Sequence, residues 1–303
     1  MVQANRIKAV AIVGCTAVGK SAIALDLAKK FDGELIGADS MQIYRGFDIG
    51  TGKLTKEECR GITHKLIDVA DGDDDFSVGE YVELAKNAIT DTAKSGKLPI
   101  IVGGTGMYVY SLLSGCDFAG TSKNDAVRVA LKTAGHFLGG KTLHDILSEV
   151  DSSAAQKISP NDVKRVIRAL EIFYLTGAPK SLVATQSEPP FDALTIVVTL
   201  PRELLYERIN ARVKSMFECG LIDEVNGLKQ YVGCGAMQAL GYKQIIENPD
   251  MPYDELVALV SQKTRNYAKR QMTYFNNMKL DKVFIDARDT DKIERAVTEF
   301  LEK

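Results

Sequence analysis

Cysteine pairs and long apolar runs are missing from this sequence. Its five cysteines are widely spaced and include no CxxC pair, which excludes a zinc ribbon and a disulfide framework. No apolar run approaches the ~18 residues that span a bilayer. The first residues lack the apolar stretch and the small-residue cleavage site of a signal peptide. We therefore expect a cytoplasmic protein that does not enter a membrane.

Neither sign of charge is in excess. The 303 residues include 38 Lys and Arg against 40 Asp and Glu, a net charge of −2. This balance excludes a globally basic nucleic-acid binder but leaves room for a local basic face. With 8 Pro and 45% hydrophobic residues, the composition also excludes collagen-like and disordered chains. The length allows two lobes or one large domain.

The first third of the chain alternates strands and helices. Apolar runs at residues 8–13, 34–38 and 98–102 predict buried parallel strands. Helical spacing predicts helices over residues 21–31 and 77–95, the second with Ser77 as N-cap and Glu80 completing a capping box. This alternation predicts an α/β fold, with a parallel sheet that has helices on both faces.

After residue 116 the strand signal stops. Residues 117–190 show helical spacing at 124–134, 142–150 and 161–176 and no clear strand. Residues 187–191 (SEPPF) are typical of a linker, and a core strand returns at residues 195–200. Helical segments follow at 202–219, 222–231 and 253–279, and then a last strand at 282–285. We therefore predict a core of residues 1–116 and 191–303 that is interrupted by an all-helical insertion at residues 117–190.

A phosphate-binding loop follows the first strand. Residues 14–21 read GCTAVGKS and match GxxxxGK[ST], between a strand and a helix as the motif requires. The backbone N–H groups and the helix N-terminus attract phosphate oxygens. Lys20 is expected to neutralise the terminal phosphates, and the Ser21 hydroxyl to bind Mg²⁺. The predicted diphosphate-binding residues are Gly14, Cys15, Thr16, Ala17, Val18, Gly19, Lys20 and Ser21.

The loop predicts a di- or triphosphate ligand but leaves the reaction open. A small-molecule kinase would share it, whereas the NKxD guanine signature of a GTPase is missing. Asp68, at a possible strand end, resembles a metal-binding aspartate. The acidic run at residues 71–75 beside it is more typical of a solvated turn.

Four further segments narrow the choice of reaction. They read DSMQIYRG and DIGTGK between residues 39 and 53, GGTGMY at 103–108, SPND followed by a basic helix from 159, and TRNYAKRQ at 264–271. With the phosphate loop, and in this order, they resemble the tRNA dimethylallyltransferase (tRNA isopentenyltransferase) family in its bacterial form without a zinc finger. The resemblance covers nearly the whole chain and implies a P-loop NTPase-like core.

The resemblance implies a reaction and its partners. The family transfers a dimethylallyl group from dimethylallyl diphosphate to N6 of adenosine 37, on the 3′ side of the anticodon. The tRNAs concerned read codons beginning with U. The implied partners are the tRNA anticodon stem-loop and dimethylallyl diphosphate, with Mg²⁺ as cofactor and diphosphate as the released product. We expect a monomer.

The resemblance also assigns roles to single residues. Asp39 resembles the general base, Thr16 the phosphate-loop hydroxyl beside the reacting centre, and Arg212 the arginine on the diphosphate. The insertion resembles a tRNA-binding part. The residues that match tRNA-contacting positions are Asp39, Ser40, Met41, Gln42, Thr105, Arg128, Lys164, Arg165, Arg168, Lys243, Arg265, Lys269 and Arg270.

Four positions depart from the family pattern. Cys15 and Val18 stand where the family usually has Pro and Ser, and we expect Val18 to remove a hydroxyl near the diphosphate. Gln238 and Lys243 stand where it usually has Arg. Gln238 lacks the charge of the usual arginine, and Lys243 keeps the charge but lacks the fork-shaped guanidinium donor. We expect these two changes to lower RNA affinity or to change the set of accepted tRNAs.

The residues support this chemistry without the resemblance. Exocyclic N6 of adenine is a poor nucleophile, and allylic diphosphates ionise readily. The site must therefore hold the diphosphate, stabilise its departing charge and accept one proton. Asp39 follows the second strand, so it should lie near the phosphate loop at the carboxyl edge of the sheet. An ordinary turn or capping aspartate is the other interpretation.

Two basic helices support RNA binding. No acid lies between residues 256 and 280, and Arg265 and Lys269 share a helix face there. Lys164, Arg165 and Arg168 form a second cluster. Two such clusters in a chain of net charge −2 indicate the uneven charge that phosphate binding needs.

Three other functions stay open on the residues alone. A small-molecule kinase would turn over ATP. A prenyltransferase of free adenine nucleotides would need neither the basic helices nor the insertion. A non-catalytic RNA-binding protein would not need an intact set of Thr16, Lys20, Ser21 and Asp39.

Overall fold

The strands of the described residues form one parallel sheet. The computed structural model describes residues 6–116, 124–180 and 188–303. Within these ranges six strands pair in the order β3-β2-β4-β1-β5-β6. The strands are β1 Lys8–Val13, β2 Gly33–Gly37, β3 His64–Lys65, β4 Leu98–Gly103, β5 Asp192–Thr199 and β6 Val283–Asp286.

The central strand explains the unbroken apolar runs in the sequence. β1 lies between β4 and β5, and Val13 pairs with Gly103 on one side and with Val197 on the other. Both faces of β1 are covered, and Ala9 through Val13 are fully buried. A parallel strand covered on both faces reads as continuous hydrophobic residues. The last residues of β1, β4 and β5 therefore meet at one edge of the sheet.

Helices cover both faces of this sheet. Helix α1 (Lys20–Lys30) packs with Val10 and Ile12 in one core cluster. Helix α2 (Val78–Lys94) packs on β2 and β4 but shares no residue with that cluster, so it covers the other face. The predicted capping box of α2 is confirmed: the Ser77 hydroxyl accepts from the Glu80 amide, and the Glu80 carboxylate accepts from the Ser77 amide.

The chain divides into two compact units. Unit 1 comprises Met1–Ser114 and Pro189–Lys303, and unit 2 comprises Gly115–Glu188. The sequence-based limits at 116/117 and 190/191 differ from these by two residues. Unit 2 is built on helices, with a core that includes Leu147, Val166 and Leu170. Its helices are α4 Asp125–Leu138, α5 Gly140–Val150, α6 Ser152–Ala155 and α7 Val163–Thr176.

The remaining helices belong to unit 1. They are α3 Gly106–Leu113, α8 Arg202–Glu218, α9 Leu221–Gly227, α10 Tyr242–Glu247, α11 Tyr253–Asn277 and α12 Thr290–Glu302. Short 3₁₀ turns occur at Lys229–Tyr231 and Ala236–Gln238. Across the described ranges, no helix combines the length and the apolar character that a membrane crossing requires.

Several elements differ from the sequence-based expectation. The single helix predicted at residues 222–231 is α9 followed by a 3₁₀ turn, and the sequence does not predict α3, α6, α10 or α12. The possible strand ahead of Asp68 is β3, which ends at Lys65. β3 has two residues, too few for a periodic signal. α3 begins inside a glycine-rich segment, and glycine disfavours a helix intrinsically. The predicted start of the linker at Ser187 lies outside the described residues.

Candidate active site

A pocket of about 260 Å³ opens at the carboxyl edge of the sheet in unit 1. Its wall combines the phosphate loop after β1, the turn after β2, residues 50–52, and parts of α8 and α11. β1 and β2 are parallel, so the segments that follow them meet at one edge. The predicted site residues that line it are Thr16, Ala17, Lys20, Ser21, Asp39, Ser40, Met41, Gln42, Arg212 and Arg270.

The backbone shapes the phosphate loop. Gly14 has φ 148°, and a Cβ at this position would lie 2.6 Å from the carbonyl oxygen of Val198. Glycine therefore allows the close approach of the loop to β5. The side chains of Cys15 and Val18 are buried in the core. The departures from the family pattern at these two positions thus change core packing rather than the lining of the pocket.

Lys20 is a half-buried cation in the pocket wall. It begins α1, and its Nζ donates to the Cys15 carbonyl oxygen at 2.6 Å. Burial lowers the pKa of Lys20 from 10.5 to about 8, with Cys15 and Asp39 opposing the shift and Arg212 adding to it. Burial also lowers the pKa of Arg212, again opposed by Asp39. Two cations and one carboxylate therefore interact electrostatically in the same pocket.

Asp39 is held in a tight turn after β2. Its Oδ1 accepts from the Met41 amide at 3.0 Å. The next residue is tied to the segment after β4, because the Ser40 amide donates to Thr105 Oγ1 at 2.9 Å. Thr105 also donates from its amide to the Ala38 carbonyl oxygen. Asp39 is therefore a turn residue, which was one of the two interpretations of the sequence. It is also part of the pocket wall.

Arg212 enters the pocket from α8. Its Nη2 donates to the Thr51 carbonyl oxygen at 3.4 Å. The same loop accepts from Gln42, whose Nε2 donates to the carbonyl oxygens of Thr51 at 3.1 Å and Gly52 at 3.2 Å. The predicted tRNA-contacting Gln42 and the predicted diphosphate-contacting Arg212 thus hold the same short segment.

Helix α11 contributes a link that sequence reasoning missed. Gln271 is buried, its Oε1 accepts from the Thr16 amide at 2.9 Å, and its Nε2 donates to the Gly104 carbonyl oxygen at 2.9 Å. The side chain therefore joins the phosphate loop to the segment after β4. Tyr267 lines the pocket one turn earlier, with the Arg270 guanidinium 5.6 Å from its ring centroid. The spacing of 267 and 271 placed both on one helix face, but only the fold shows what that face meets.

Besides Thr105, three predicted tRNA-contacting residues of unit 1 are not part of the pocket lining. The Arg265 guanidinium donates to Asn210 Oδ1 at 2.6 Å, which fixes it against α8. Lys269 is exposed. Lys243 donates to Gln238 Oε1 at 3.1 Å, and Gln238 itself lines the pocket.

Two of the four predicted basic residues of unit 2, Arg128 and Arg168, bind one buried carboxylate. Glu171 is fully buried and accepts from Arg128 at 3.0 Å and from Arg168 at 2.9 Å. Burial alone would raise the pKa of Glu171, but the Asn124 amide and the two guanidiniums lower it below its ordinary value. Arg128 and Arg168 therefore have a structural role within this unit. Lys164 and Arg165 are exposed, Arg165 beside Asp162.

Two further titratable residues of unit 1, His64 and Asp68, lie in or near this site. His64 lines the pocket; burial lowers its pKa to about 4, and its buried Nε2 has no hydrogen-bond partner among the described residues. Asp68 lies outside the pocket lining and pairs with Lys53 at 2.5 Å, so its carboxylate serves an ion pair. Among the described residues no cluster of three or more His, Cys, Asp or Glu forms a metal site.

Known proteins resemble this chain over almost its full length. The IPP transferase family model matches residues 42–278. A tRNA dimethylallyltransferase of Thermoanaerobacter sp. (strain X514) is 42% identical over 308 aligned positions, covering 97% of this chain and 98% of that protein. One of Caldanaerobacter subterraneus subsp. tengcongensis is 43% identical over 307 positions with the same coverage.

Solved structures agree with this likeness. A tRNA isopentenylpyrophosphate transferase from Bacillus halodurans has a TM-score of 0.73 at 39% identity, covering 98% of this chain and 97% of that one. A eukaryotic dimethylallyltransferase acting on tRNA has a TM-score of 0.83 at 29% identity, covering 96% of this chain and 77% of that one.

Proposed function

The chain belongs to the tRNA dimethylallyltransferase family, and on that premise we propose that it transfers the dimethylallyl group of dimethylallyl diphosphate to N6 of adenosine 37 in tRNA. The adenosine lies beside the anticodon of tRNAs that read codons beginning with U. The observation that carries the proposal is a single pocket that combines a phosphate loop, a carboxylate and an arginine from distant parts of the chain.

The phosphate loop would hold the leaving group. In the transfer, N6 forms a bond to C1 of the dimethylallyl group while the bond from C1 to the diphosphate oxygen breaks, and the electron pair of that bond leaves with the diphosphate. Lys20 and Arg212 place positive charge where this negative charge develops. Lys20 uses one of its three N–H donors on the Cys15 carbonyl oxygen, which leaves two for phosphate oxygens.

Asp39 would take the proton that N6 loses. Met41 uses one carboxylate oxygen of Asp39 and thereby fixes its orientation, and the Asp39 side chain lines the same pocket as the phosphate loop. A positioned carboxylate is a suitable general base for this step. Thr16 lines the pocket while Gln271 holds its amide, which suits the proposed role of its hydroxyl beside the reacting carbon.

The donor set of the pocket fits a magnesium ion. Mg²⁺ usually keeps several waters and is bound through one or two protein oxygens together with substrate phosphates. Ser21 lines the pocket at the start of α1 and is the protein ligand we propose. When bound, the ion would neutralise charge on the leaving diphosphate.

Binding of tRNA would involve two groups of residues. Asp39, Ser40, Met41, Gln42 and Arg270 line the pocket and would surround the adenosine. Extrusion of a base from its stack costs a few kcal/mol, and less in a loop than in a duplex. The residues outside the pocket would contact the anticodon stem-loop backbone; they are Thr105, Arg128, Lys164, Arg165, Arg168, Lys243, Arg265 and Lys269. We further propose that the protein works in the cytoplasm as a monomer.

The proposal is tested by the product. The protein is incubated with tRNA that lacks the modification and with either dimethylallyl diphosphate or ATP, and the nucleosides are analysed by mass. We expect a five-carbon unit on adenosine with dimethylallyl diphosphate alone. Phosphate transfer from ATP would support the small-molecule kinase, and modification of free adenine nucleotides but not of tRNA would support the nucleotide prenyltransferase.

A matched pair of lysine variants ties the activity to the pocket. Lys20→Ala should slow transfer by ~10²–10³, because one charged contact to the leaving group is lost. Lys30→Ala, at the other end of α1 where the ammonium pairs with Glu294, should keep full activity. Equal activity of the two variants would show that the phosphate loop is not the diphosphate site.

A further inference from the structure

A carboxylate outside the pocket holds the loop that contacts Arg212. Glu224, in the short helix α9, accepts from three consecutive amides of that loop: Asp48 at 3.1 Å, Ile49 at 2.8 Å and Gly50 at 3.2 Å. Its fourth donor is the hydroxyl of Tyr242. A carboxylate accepts only, so all four bonds are possible at once.

Tyr242 anchors the carboxylate to the core. The tyrosine is fully buried, and its ring centroid lies 5.0 Å from that of Phe47, which begins the same stretch of chain. Burial and the neighbouring Glu224 both raise the pKa of the Tyr242 hydroxyl, so it remains a donor throughout the neutral range. Glu224 is therefore fixed by a rigid partner while it fixes the loop.

The loop is held at its other end as well. The Lys53 ammonium, with a side chain only 5% exposed, donates to the Tyr44 carbonyl oxygen at 2.5 Å and pairs with Asp48 at 2.7 Å and with Asp68. Between these two anchors lie Thr51 and Gly52, which line the pocket together with Gly50.

Those two residues set the place of the guanidinium. The Thr51 carbonyl oxygen accepts from Arg212. Gly52 has φ 63°, and a Cβ there would lie 1.8 Å from Arg212 Nη2. The backbone thus packs directly against the arginine, and a shift of the loop would move the guanidinium.

We propose that Glu224 is a positioning residue for the transfer reaction: by clamping the amides of residues 48–50 it sets the Arg212 guanidinium where the diphosphate is bound. The inference rests on the proposed contact between Arg212 and the diphosphate. A misplacement of about 1 Å can cost ~10²-fold in rate, so a group that touches no substrate can control it.

The test is Glu224→Gln in the full chain. The glutamine Nε2 cannot accept, so at least one loop amide loses its partner while size is kept. We expect kcat/KM for dimethylallyl diphosphate to fall by ~10²-fold, with a smaller change in KM for tRNA. Tyr242→Phe removes one of the four donors and should give a smaller loss of the same kind. The matched control is Glu58→Gln, an exposed glutamate that accepts from the Thr55 amide at 2.8 Å and should behave as wild type.

A double-mutant cycle separates positioning from general stability. Combined with Arg212→Ala, Glu224→Gln should add little, because its effect passes through the arginine already removed. If the effects of Glu224→Gln and Arg212→Ala on kcat/KM are fully additive, the role proposed for Glu224 is wrong. It is also wrong if Glu224→Gln and Tyr242→Phe lower the melting temperature but keep wild-type kcat and KM. Either result would leave the proposed function of the protein standing. Wild-type use of dimethylallyl diphosphate by Arg212→Ala would refute the proposed role of Arg212 and this inference with it.

Discussion

Lys20 should give diphosphate binding a measurable pH dependence. Burial lowers the pKa of its ammonium to about 8, within reach of ordinary buffers. The charged form attracts the diphosphate and the neutral amine does not. The ligand keeps its charge over the same range, because the second pKa of a phosphate ester lies near 6. Affinity should therefore be full below pH 8 and should fall as the pH rises through that value.

The size of the effect follows from the charged fraction of Lys20. With a pKa of about 8, roughly 90% of the free enzyme carries the charge at pH 7 and roughly 9% at pH 9. The apparent Kd for dimethylallyl diphosphate should therefore rise about tenfold between these pH values. Binding at pH 9 should also take up about one proton, since the bound anion restores the ammonium.

Calorimetric titrations from about pH 6.5 to about pH 9.5, in two buffers of different ionisation enthalpy, measure the Kd and the proton uptake together. Lys20→Arg is the matched control, because a guanidinium stays charged over the whole range and its pH dependence should vanish. A Kd for the wild type that is flat up to pH 9.5 would refute the reasoning. If the Kd of the Lys20→Arg enzyme rises with pH as steeply as that of the wild type, the titrating group is not Lys20.

Three further predictions concern the base, the RNA contacts and the helical unit. Asp39→Asn keeps an acceptor for the Met41 amide but removes the proton acceptor, so single-turnover transfer at saturating tRNA should slow by ~10²–10⁴ with little change in diphosphate affinity. Substituting Arg265 and Lys269 together by Ala should weaken tRNA binding, measured across salt concentrations, and flatten the slope of log affinity against log salt by about two. Glu171→Ala should lower the free energy of unfolding by about 2–3 kcal/mol in denaturant titrations, because two partly exposed guanidiniums and an amide lose their acceptor.

Each of these expectations has a result that contradicts it. Transfer at a near wild-type rate by Asp39→Asn would leave Asp39 as a turn residue only. Unchanged tRNA binding, or an equal loss of dimethylallyl diphosphate binding, in the Arg265 and Lys269 double variant would refute their assignment as RNA contacts. For Glu171, the control is Glu149→Ala, an exposed glutamate of the same unit; equal stability of the two variants would contradict the structural role.

The phosphate loop and Asp39 could be placed from the sequence because their geometry is local. The eight loop residues run from the end of β1 into the first turn of α1, so one short motif specifies them all. Asp39 follows the next strand, and parallel strands end at a common edge of the sheet. Short-range patterning thus determined half of the pocket.

The other half comes from residues far away in sequence. Gln271 bonds the Thr16 amide across 255 positions, and Glu224 bonds the Ile49 amide across 175. Helical periodicity shows which residues share a face, but it does not show which surface that face meets. For the same reason the sequence could not distinguish Arg168, which Glu171 holds inside unit 2, from the exposed Lys164 of the same basic cluster.

The sequence by itself determined the parts on which the proposed chemistry rests: a phosphate-loop motif, a nearby carboxylate and a parallel sheet that brings them to one edge. Only the tertiary structure decided how that chemistry is held in place, through Gln271 across two loops and through Glu224 and Tyr242 on the loop beside Arg212. The physical reason is that a polar side chain can bond any backbone group brought within about 3 Å. Which group that is depends on how the helices pack and not on the residues next to it in the chain.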